Sequence, residues 1–313
     1  MNVKNLYGRV ITALGDFNSS PETFETVGVF TDLKLSEYSS FKIGGAADLA
    51  LFPKNEAALI FCVNLLCENG ILFHVIGNGS NVLFADEGVR GSVIFTSEMN
   101  DIEVSENMIV AECGAGITKI SRIALENSLT GLEFACGIPG SLGGAVYMNA
   151  GAYGGQMSDV VVESTYFDPR SKKIYTISAD EHRYGYRESI YIDNPDYIIL
   201  SAKLRLSGAD KNDIKAKMDE NLRARRDKRP LEYPSAGSVF KRYPGYFTGK
   251  IIEEAGLKGY TVGGAQVSCK HAGFIINIGG ATSNDVKALI DHIKKTIYSI
   301  HGIDLECEVR FIG

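Results

Sequence analysis

Apolar and polar positions alternate in a way that divides the chain into short strands and helices along most of its length. Asp48 to Phe52 reads as a strand. Pro53 and Asn55 then open a helix, NEAALIFCVNLLCENG, in which Leu59, Val63 and Leu66 form an apolar stripe and Gly70 ends the run. Ile71 to Ile76 is again strand-like, so strand, helix and strand follow one another as in a βαβ unit. Ser92–Thr96, Asp101–Val104 and Met108–Cys113 predict three more strands, and Thr118–Glu126 a helix. Val160–Asp168, Lys173–Ser178 and Tyr197–Leu206 predict further strands. The charged stretch Asn212–Arg229 predicts a long helix, ended by Pro230 and Pro234. Beyond it Thr248–Ala255 reads as a helix, and Val262–Ser268 and Phe274–Ile278 as strands. Ser283 caps a helix that runs to His301 and stops at Gly302, and Ile303–Ile312 is a final strand. Residues 1–35 predict helical packing around Leu6 to Leu14 and carry no functional signal. The series predicts an α+β protein in three pieces, 1–100, 101–208 and 209–313, without repeats or a low-complexity linker.

Composition narrows the function classes. The chain has 313 residues, 45% hydrophobic and 22% charged, with a net charge of -6. That balance lacks the basic footprint of a general nucleic-acid binder but leaves room for a local phosphate pocket. Cysteines stand at 62, 67, 113, 136, 269 and 307, with no CxxC pair and no zinc spacing. Free thiols in a reducing compartment and no metal site are expected. The N-terminus lacks the apolar core of a signal peptide, and no apolar run approaches the ~20 residues that span a bilayer. A cytoplasmic protein is expected, with no membrane contact and no obligate protein partner.

Glycine carries the first chemical signal. Gly77-Asn78-Gly79-Ser80-Asn81 follows the strand ending at Ile76. Gly137-Ile138-Pro139-Gly140-Ser141-Leu142-Gly143-Gly144-Ala145 leads into an expected helix, Ala145 to Met148, and Asn149-Ala150-Gly151-Ala152-Tyr153-Gly154-Gly155 comes next. Such loops turn successive N–H groups toward one anion, so two of them, with Ser80, Asn81 and Ser141 as extra donors, could hold a pyrophosphate. Tight turns between strands are the alternative. Neither loop is a Rossmann fingerprint: the third glycine of GxGxxG is missing after Gly79, and Asn81 leads into a strand-like VLF. A dinucleotide here would use another fold.

Six motifs then fall in one order: KIGGAADLALFP (42–53), GNGSNVLFADEGVRG (77–91), GLEFACGIPGSLGGAVYMNAGAYGG (131–155), YGYRES (184–189), PSAGSVFKR (234–242) and LECEVRFIG (305–313). Over residues 38–313 the chain resembles the UDP-N-acetylenolpyruvoylglucosamine reductase family. The resemblance implies a vanillyl-alcohol-oxidase-type FAD-binding fold of two subdomains, followed by a C-terminal α/β substrate-binding domain. It implies non-covalent FAD, with Gly77, Asn78, Gly79, Ser80 and Asn81 on one side of the pyrophosphate. Gly137, Gly140, Ser141, Gly143, Gly144 and Ala145 would lie on the other, and Asn149 and Gly151 near the flavin. The implied partners are NADPH and UDP-N-acetylglucosamine enolpyruvate. PSAGSVFKR and the compact stretch from Tyr233 to Gln266 resemble the shorter form of the family, which lacks an inserted Tyr-bearing loop. Two departures stand out. Cys307 replaces the proline common in the last motif, and Tyr243 separates Arg242 from Pro244, a change expected to alter the loop locally while leaving Ser238 in place.

The implied reaction needs a hydride donor, a stabiliser for an enolate and a proton source. Within the motifs, Arg187 can grip a carboxylate through two N–H bonds. Ser238 is the implied proton donor, plausible for a hydroxyl because the acceptor is a carbanion. Glu308 would assist the enolate, and if it donates a hydrogen bond it must be protonated, which calls for burial. Outside the motifs these residues would read as a surface arginine, a turn serine and a strand carboxylate paired with Arg310. Tyr186, Lys241, Lys258, Gln266 and Lys270 are candidate substrate contacts, with His271 beside them as either a contact or a structural residue. The run Arg223, Arg225, Arg226, Lys228, Arg229 is either a solvated helix end or a source of diphosphate contacts. Rival readings are an FAD-dependent alcohol or aldose oxidase of the same fold, and a non-catalytic nucleotide-sugar binder.

Overall fold

The computed structural model describes residues 3–20 and 26–313; Met1 and Asn2, which open the N-terminal segment, lie outside them. The chain forms two compact units, both discontinuous. The first comprises 1–33, 48–78 and 91–222, and the second 34–47, 79–90 and 223–313. This division does not follow the three consecutive pieces read from sequence. The reason is packing. One apolar cluster joins Leu49, Leu59 and Ile94 to Ile109, Ile120, Phe167 and Leu204, across the expected border at residue 100. A second cluster draws Phe41, Ile43 and Leu83 out of the N-terminal third to join Val239, Ile252, Leu289 and Ile293. The helix Lys211–Lys228 buries Ile214 and Met218 beside Cys136.

In the first unit, Asn55 caps the helix Glu56–Glu68 by accepting the Ala58 N–H at 2.9 Å. The apolar stripe is buried as expected: Leu59, Val63 and Leu66 are fully covered, each contributing about 1.5–3 kcal/mol. Gly70 follows the helix with φ +64°, the left-handed backbone that glycine adopts without strain. A four-stranded sheet runs in the order Val27–Lys34, Ala46–Pro53, Val89–Phe95, Phe73–Ile76, the last two parallel. A five-stranded antiparallel sheet runs Lys173–Ser178, Val161–Asp168, Ile198–Arg205, Met108–Glu112, Ile102–Ser105. The helix Val3–Ser19 buries Val10 and Leu14.

In the second unit, the expected strand Val262–Ser268 is a hairpin: Thr261–Val262 pairs with Ala265–Val267, because Gly263 at φ +53° and Gly264 reverse the chain. Ala265–Val267 pairs in turn with Ile275–Asn277. The long helix Ser283–His301 is capped by Thr282 rather than Ser283, in a capping box with Asp285. Asp86 accepts the next two amides, Ser283 N at 2.6 Å and Asn284 N at 3.1 Å. Gly302 ends the helix at φ +67°. The expected strand Ile303–Ile312 shrinks to Arg310–Ile312, parallel to Val82–Phe84, with one isolated bridge at Cys307. Its earlier residues turn to meet other partners. No helix among the described residues is long and apolar enough to cross a membrane.

Candidate active site

In the first unit, two glycine loops meet. A Cβ at Gly77 would collide with Ser141 Oγ, so only glycine lets the loops touch there. Asn78 Nδ2 donates to Pro139 O at 3.3 Å. Buried Ser141 caps the helix Leu142–Tyr147 and accepts the Gly144 N–H at 3.3 Å, so this helix starts before the Ala145 expected. The amides of Leu142, Gly143, Gly144 and Ala145 go to Ala115 O, Cys113 O, Ser141 Oγ and Ser141 O. They are therefore not aimed at an anion, contrary to the glycine count. Gly143 serves packing, since an added Cβ would stand 2.9 Å from Cys113 Cβ. The amides of Asn78, Gly140 and Ser141 have no protein acceptor among the described residues. Asn78 and Gly144 are exposed, and no carboxylate occurs in residues 77–81 or 137–145. This donor set fits a pyrophosphate, through fewer amides than the sequence suggested.

The third loop is tied to YGYRES. Asn149 is 1% exposed, in left-handed backbone at φ +42°. Its Nδ2 donates to Gly185 O at 2.9 Å, its Oδ1 accepts Ser158 N at 2.9 Å, and its carbonyl accepts Arg187 Nη1 at 3.3 Å. Gly151 packs against Gln156 in the hairpin that follows. Gly185 and Glu188 close a turn through reciprocal backbone bonds of 3.3 and 3.4 Å. Tyr186 and Arg187 form its tip, with the guanidinium carbon 5.1 Å from the Tyr186 ring centroid. Arg187 has φ +57° at a position that normally takes glycine. Holding an arginine there costs on the order of 1–2 kcal/mol, a strain of the kind that collects at functional sites. Ser189 Oγ anchors the far side of the turn on Tyr147 O at 2.6 Å.

In the second unit, Ser238 and Glu308 flank Val239. Ser238 bridges Phe274, and Phe240 bridges Cys307. Val239 N donates to Gly273 O at 2.9 Å and Val239 O accepts Glu308 N at 2.7 Å. Gly237 has φ +80°, and Ser238 Oγ rests on Phe240 O at 3.3 Å. Glu308 is half-buried, and its carbonyl accepts Asn81 Nδ2 at 3.1 Å, while Arg310 N donates to Asn81 O at 3.0 Å. Asn81 therefore ties the end of the first glycine loop to the Glu308 segment. Gly79, at φ +59°, accepts Ser40 N at 3.1 Å, with half-buried Ser80 beside it. Tyr243 and Tyr246 close a turn around Pro244 and Gly245, so the extra tyrosine stays in the loop and the Ser238 bridge is intact.

The candidate substrate contacts are dispersed in their interactions. Lys241 pairs with Glu306 at 3.0 Å, Lys258 with Glu253 at 2.7 Å, and Gln266 Nε2 donates to Thr261 Oγ1 at 3.0 Å. Lys270 Nζ donates to Arg226 O at 2.7 Å. His271 Nδ1 accepts Gly273 N at 3.0 Å; burial first, then Arg229, holds its pKa below the ordinary 6.5. Arg229 stands 5.7 Å over the Phe274 ring, so this member of the basic run is not merely a solvated end. Arg187 belongs to the first unit, and Ser238 and Glu308 to the second. Sequence reasoning named these three as candidates but did not single out Asn149 as the residue that ties Arg187 down. The one available signal was the asparagine itself, a residue type that tolerates left-handed backbone.

Residues 47–176 match the family described as FAD binding domain, and residues 229–312 match the UDP-N-acetylenolpyruvoylglucosamine reductase, C-terminal domain. The chain is similar to the UDP-N-acetylenolpyruvoylglucosamine reductase of Pediococcus pentosaceus, 48% identical over 94% of this chain and 98% of the relative. It is also similar to that of Clostridium beijerinckii, 46% identical over 95% and 97% of the two chains. Among solved structures, the UDP-N-acetylenolpyruvylglucosamine reductase from Thermus caldophilus superposes with a TM-score of 0.78 and 30% identity, covering 92% of this chain and 99% of that one. With both domains matched in order and nearly the whole length shared, the chain belongs to the UDP-N-acetylenolpyruvoylglucosamine reductase family.

Proposed function

We propose that the protein reduces UDP-N-acetylglucosamine enolpyruvate to UDP-N-acetylmuramate with NADPH, as an FAD-dependent oxidoreductase of peptidoglycan precursor synthesis acting in the cytoplasm. The observation that carries the reading is Arg187, held in strained backbone at the tip of a turn whose base is fixed by Asn149. An arginine kept there against its conformational preference suits a site that must present a fixed cation to a carboxylate.

Asn78, Gly140 and Ser141 would hold the cofactor pyrophosphate, with Gly77, Gly143 and Gly151 letting the loops pack. FAD, when bound, supplies the hydride that reaches the terminal carbon of the enolpyruvyl group. The chain's own residues handle the charge that this creates. Arg187 would grip the substrate carboxylate and share the negative charge that spreads into it as the enolate forms. Ser238 would pass its hydroxyl proton to the neighbouring carbon, completing the saturated ether. Its backbone is fixed by the bridge to Phe274, so the hydroxyl can be aimed without loop closure. Glu308 would act on the developing enolate from a half-buried position braced by Val239 and Asn81. Tyr186, Lys241, Lys258 and Gln266 are proposed to contact the sugar nucleotide, the lysines after exchanging their present carboxylate partners.

The test is anaerobic. NADPH should bleach the purified yellow protein, and the enolpyruvyl sugar nucleotide should restore the colour at a rate that saturates with its concentration. Acid should release free FAD from the polypeptide. Bleaching of the flavin by alcohols or aldoses, with consumption of oxygen once air is admitted and no reoxidation by the sugar nucleotide, would favour the oxidase reading instead.

A further inference from the structure

The strand Val161–Asp168 of the first unit, interior to its sheet, carries a buried hydroxyl bonded in two directions. Ser164 Oγ lies 2.6 Å from His182 Nε2 and 2.5 Å from Tyr191 Oη. All three residues are at most 1% exposed. His182 ends the 3-10 turn Ala179–His182, and Tyr191 sits in the short helix Ile190–Asp193. The chain between them, residues 183–190, holds the whole Gly185–Glu188 turn that presents Arg187. One serine therefore pins both stems of that turn to a strand paired on each side, with Ser164 opposite Ile177 and Ala202.

The direction of each bond follows from chemistry. His182 Nδ1 is 2.8 Å from Ser178 O, which can only accept, so Nδ1 carries a proton. Burial lowers the His182 pKa below its ordinary value, so the ring is neutral and Nε2 accepts. Ser164 must then donate to His182, and Tyr191 to Ser164. The order Tyr191 to Ser164 to His182 to Ser178 leaves no freedom of rotation to any hydroxyl. Stacking reinforces it: the His182 ring lies 4.8 Å from that of Tyr184 at 11°, and Tyr191 meets Tyr166 edge-on at 5.7 Å. An apolar trio would fill the same space, but it would not specify one relative placement of strand, turn and helix.

We infer that Ser164, with His182 and Tyr191, is a positioning residue for Arg187, fixing where the guanidinium stands by clamping both stems of its turn. The inference rests on the reading of Arg187 as the group that holds the substrate carboxylate. A misplacement of about 1 Å at such a group costs on the order of 100-fold in rate.

The flavin-loaded enzyme is compared with its Ser164→Ala and Tyr191→Phe variants and with Thr165→Ala, whose hydroxyl bonds that of Thr176 at the exposed side of the same strand. Ser164→Ala and Tyr191→Phe should keep their FAD and be reduced by NADPH within about twofold of the parent. Reoxidation by the enolpyruvyl sugar nucleotide should slow about 10- to 100-fold, with a higher half-saturating concentration. Hydrogen exchange at the Gly185 and Glu188 amides should quicken. Thr165→Ala should change none of these. Equal slowing of both half-reactions, or unchanged reoxidation in both clamp variants, overturns the inference. If Ser164→Ala does not fold, Tyr191→Phe decides alone. If the parent itself is not reoxidised by the sugar nucleotide, the functional reading fails, and amide exchange in the variants still decides the clamp.

Discussion

Replacing Asn149 tests how the Arg187 turn is held, because three separate contributions meet at that residue. Asn149→Ala removes the donor to Gly185 O and the acceptor of Ser158 N, both at 2.9 Å in a buried setting. Each lost bond costs about 0.5–1.5 kcal/mol. Alanine must also adopt φ +42°, which adds roughly 1–2 kcal/mol. The sum is about 3 kcal/mol. Asn149→Gly removes the same bonds without the backbone penalty, so about 2 kcal/mol is expected. Asn149→Asp keeps the acceptor for Ser158 and sets a carboxylate against the Gly185 carbonyl, giving an intermediate loss. With a slope of about 1–3 kcal/mol per molar urea, the alanine variant should shift its midpoint by about 1–3 M. The assay is urea unfolding followed by far-ultraviolet circular dichroism, in excess FAD for all four proteins. Reoxidation kinetics should show a raised half-saturating substrate concentration, since the Asn149 carbonyl also orients Arg187. An alanine variant within about 0.3 M of the parent midpoint would refute the hydrogen-bond argument. A glycine variant no more stable than the alanine one would refute the backbone argument.

Ser238→Ala should leave flavin reduction by NADPH intact and slow reoxidation by the sugar nucleotide about 10²–10⁴-fold, as loss of a positioned acid does; stopped-flow absorbance separates the two, and equal loss in both would return Ser238 to a structural role. Glu308→Gln should retain more reoxidation activity than Glu308→Ala, with little change in substrate affinity for either; an alanine variant as fast as the parent, with full FAD content, would remove Glu308 from the mechanism. Burial lowers the pKa of His74, His182 and His271 below 6.5. The unfolded chain then binds more protons than the folded one, so stability is fully present above about pH 6.5 and falls as pH drops through the folded values. The urea midpoint should decrease from pH 7.5 to pH 5.5, less so in His182→Gln, and a midpoint that rose on acidification would contradict the sign.

Local order was legible in the chain itself, and for a local reason. Asn55, Gly70 and the Leu59–Val63–Leu66 stripe act within a few residues of one another, so the helix they bound could be read directly. The same holds for Gly302 at the end of the last helix, and for the strand Lys173–Ser178. Where two local signals compete, the chain is ambiguous: Thr282 and Ser283 are both good caps, and only the capping box with Asp285 selects Thr282. The glycine loops show the same limit. Their composition marks a place of close approach, yet glycine is required equally by a ligand and by a neighbouring loop. Ser141 and Cys113 crowd Gly77 and Gly143, and the helix amides after Ser141 are used internally.

What the sequence determined alone is most of the helices and strands, the six ordered motifs and, through them, the family and the choice of the three residues proposed to act on the substrate. Hydrophobic period, caps and motif spacing are properties of neighbouring positions, so they survive without coordinates. The tertiary structure alone decided which partners brace those residues. Asn149 with Gly185, Asn81 with Glu308, and Ser164 with both His182 and Tyr191 are contacts between segments distant in the chain. The same is true of the two cores, which reach across sequence to gather Phe41 and Leu83 with the C-terminal third. Side-chain hydrogen bonds and burial depend on which surfaces chain folding brings together, and no periodicity along the chain encodes that.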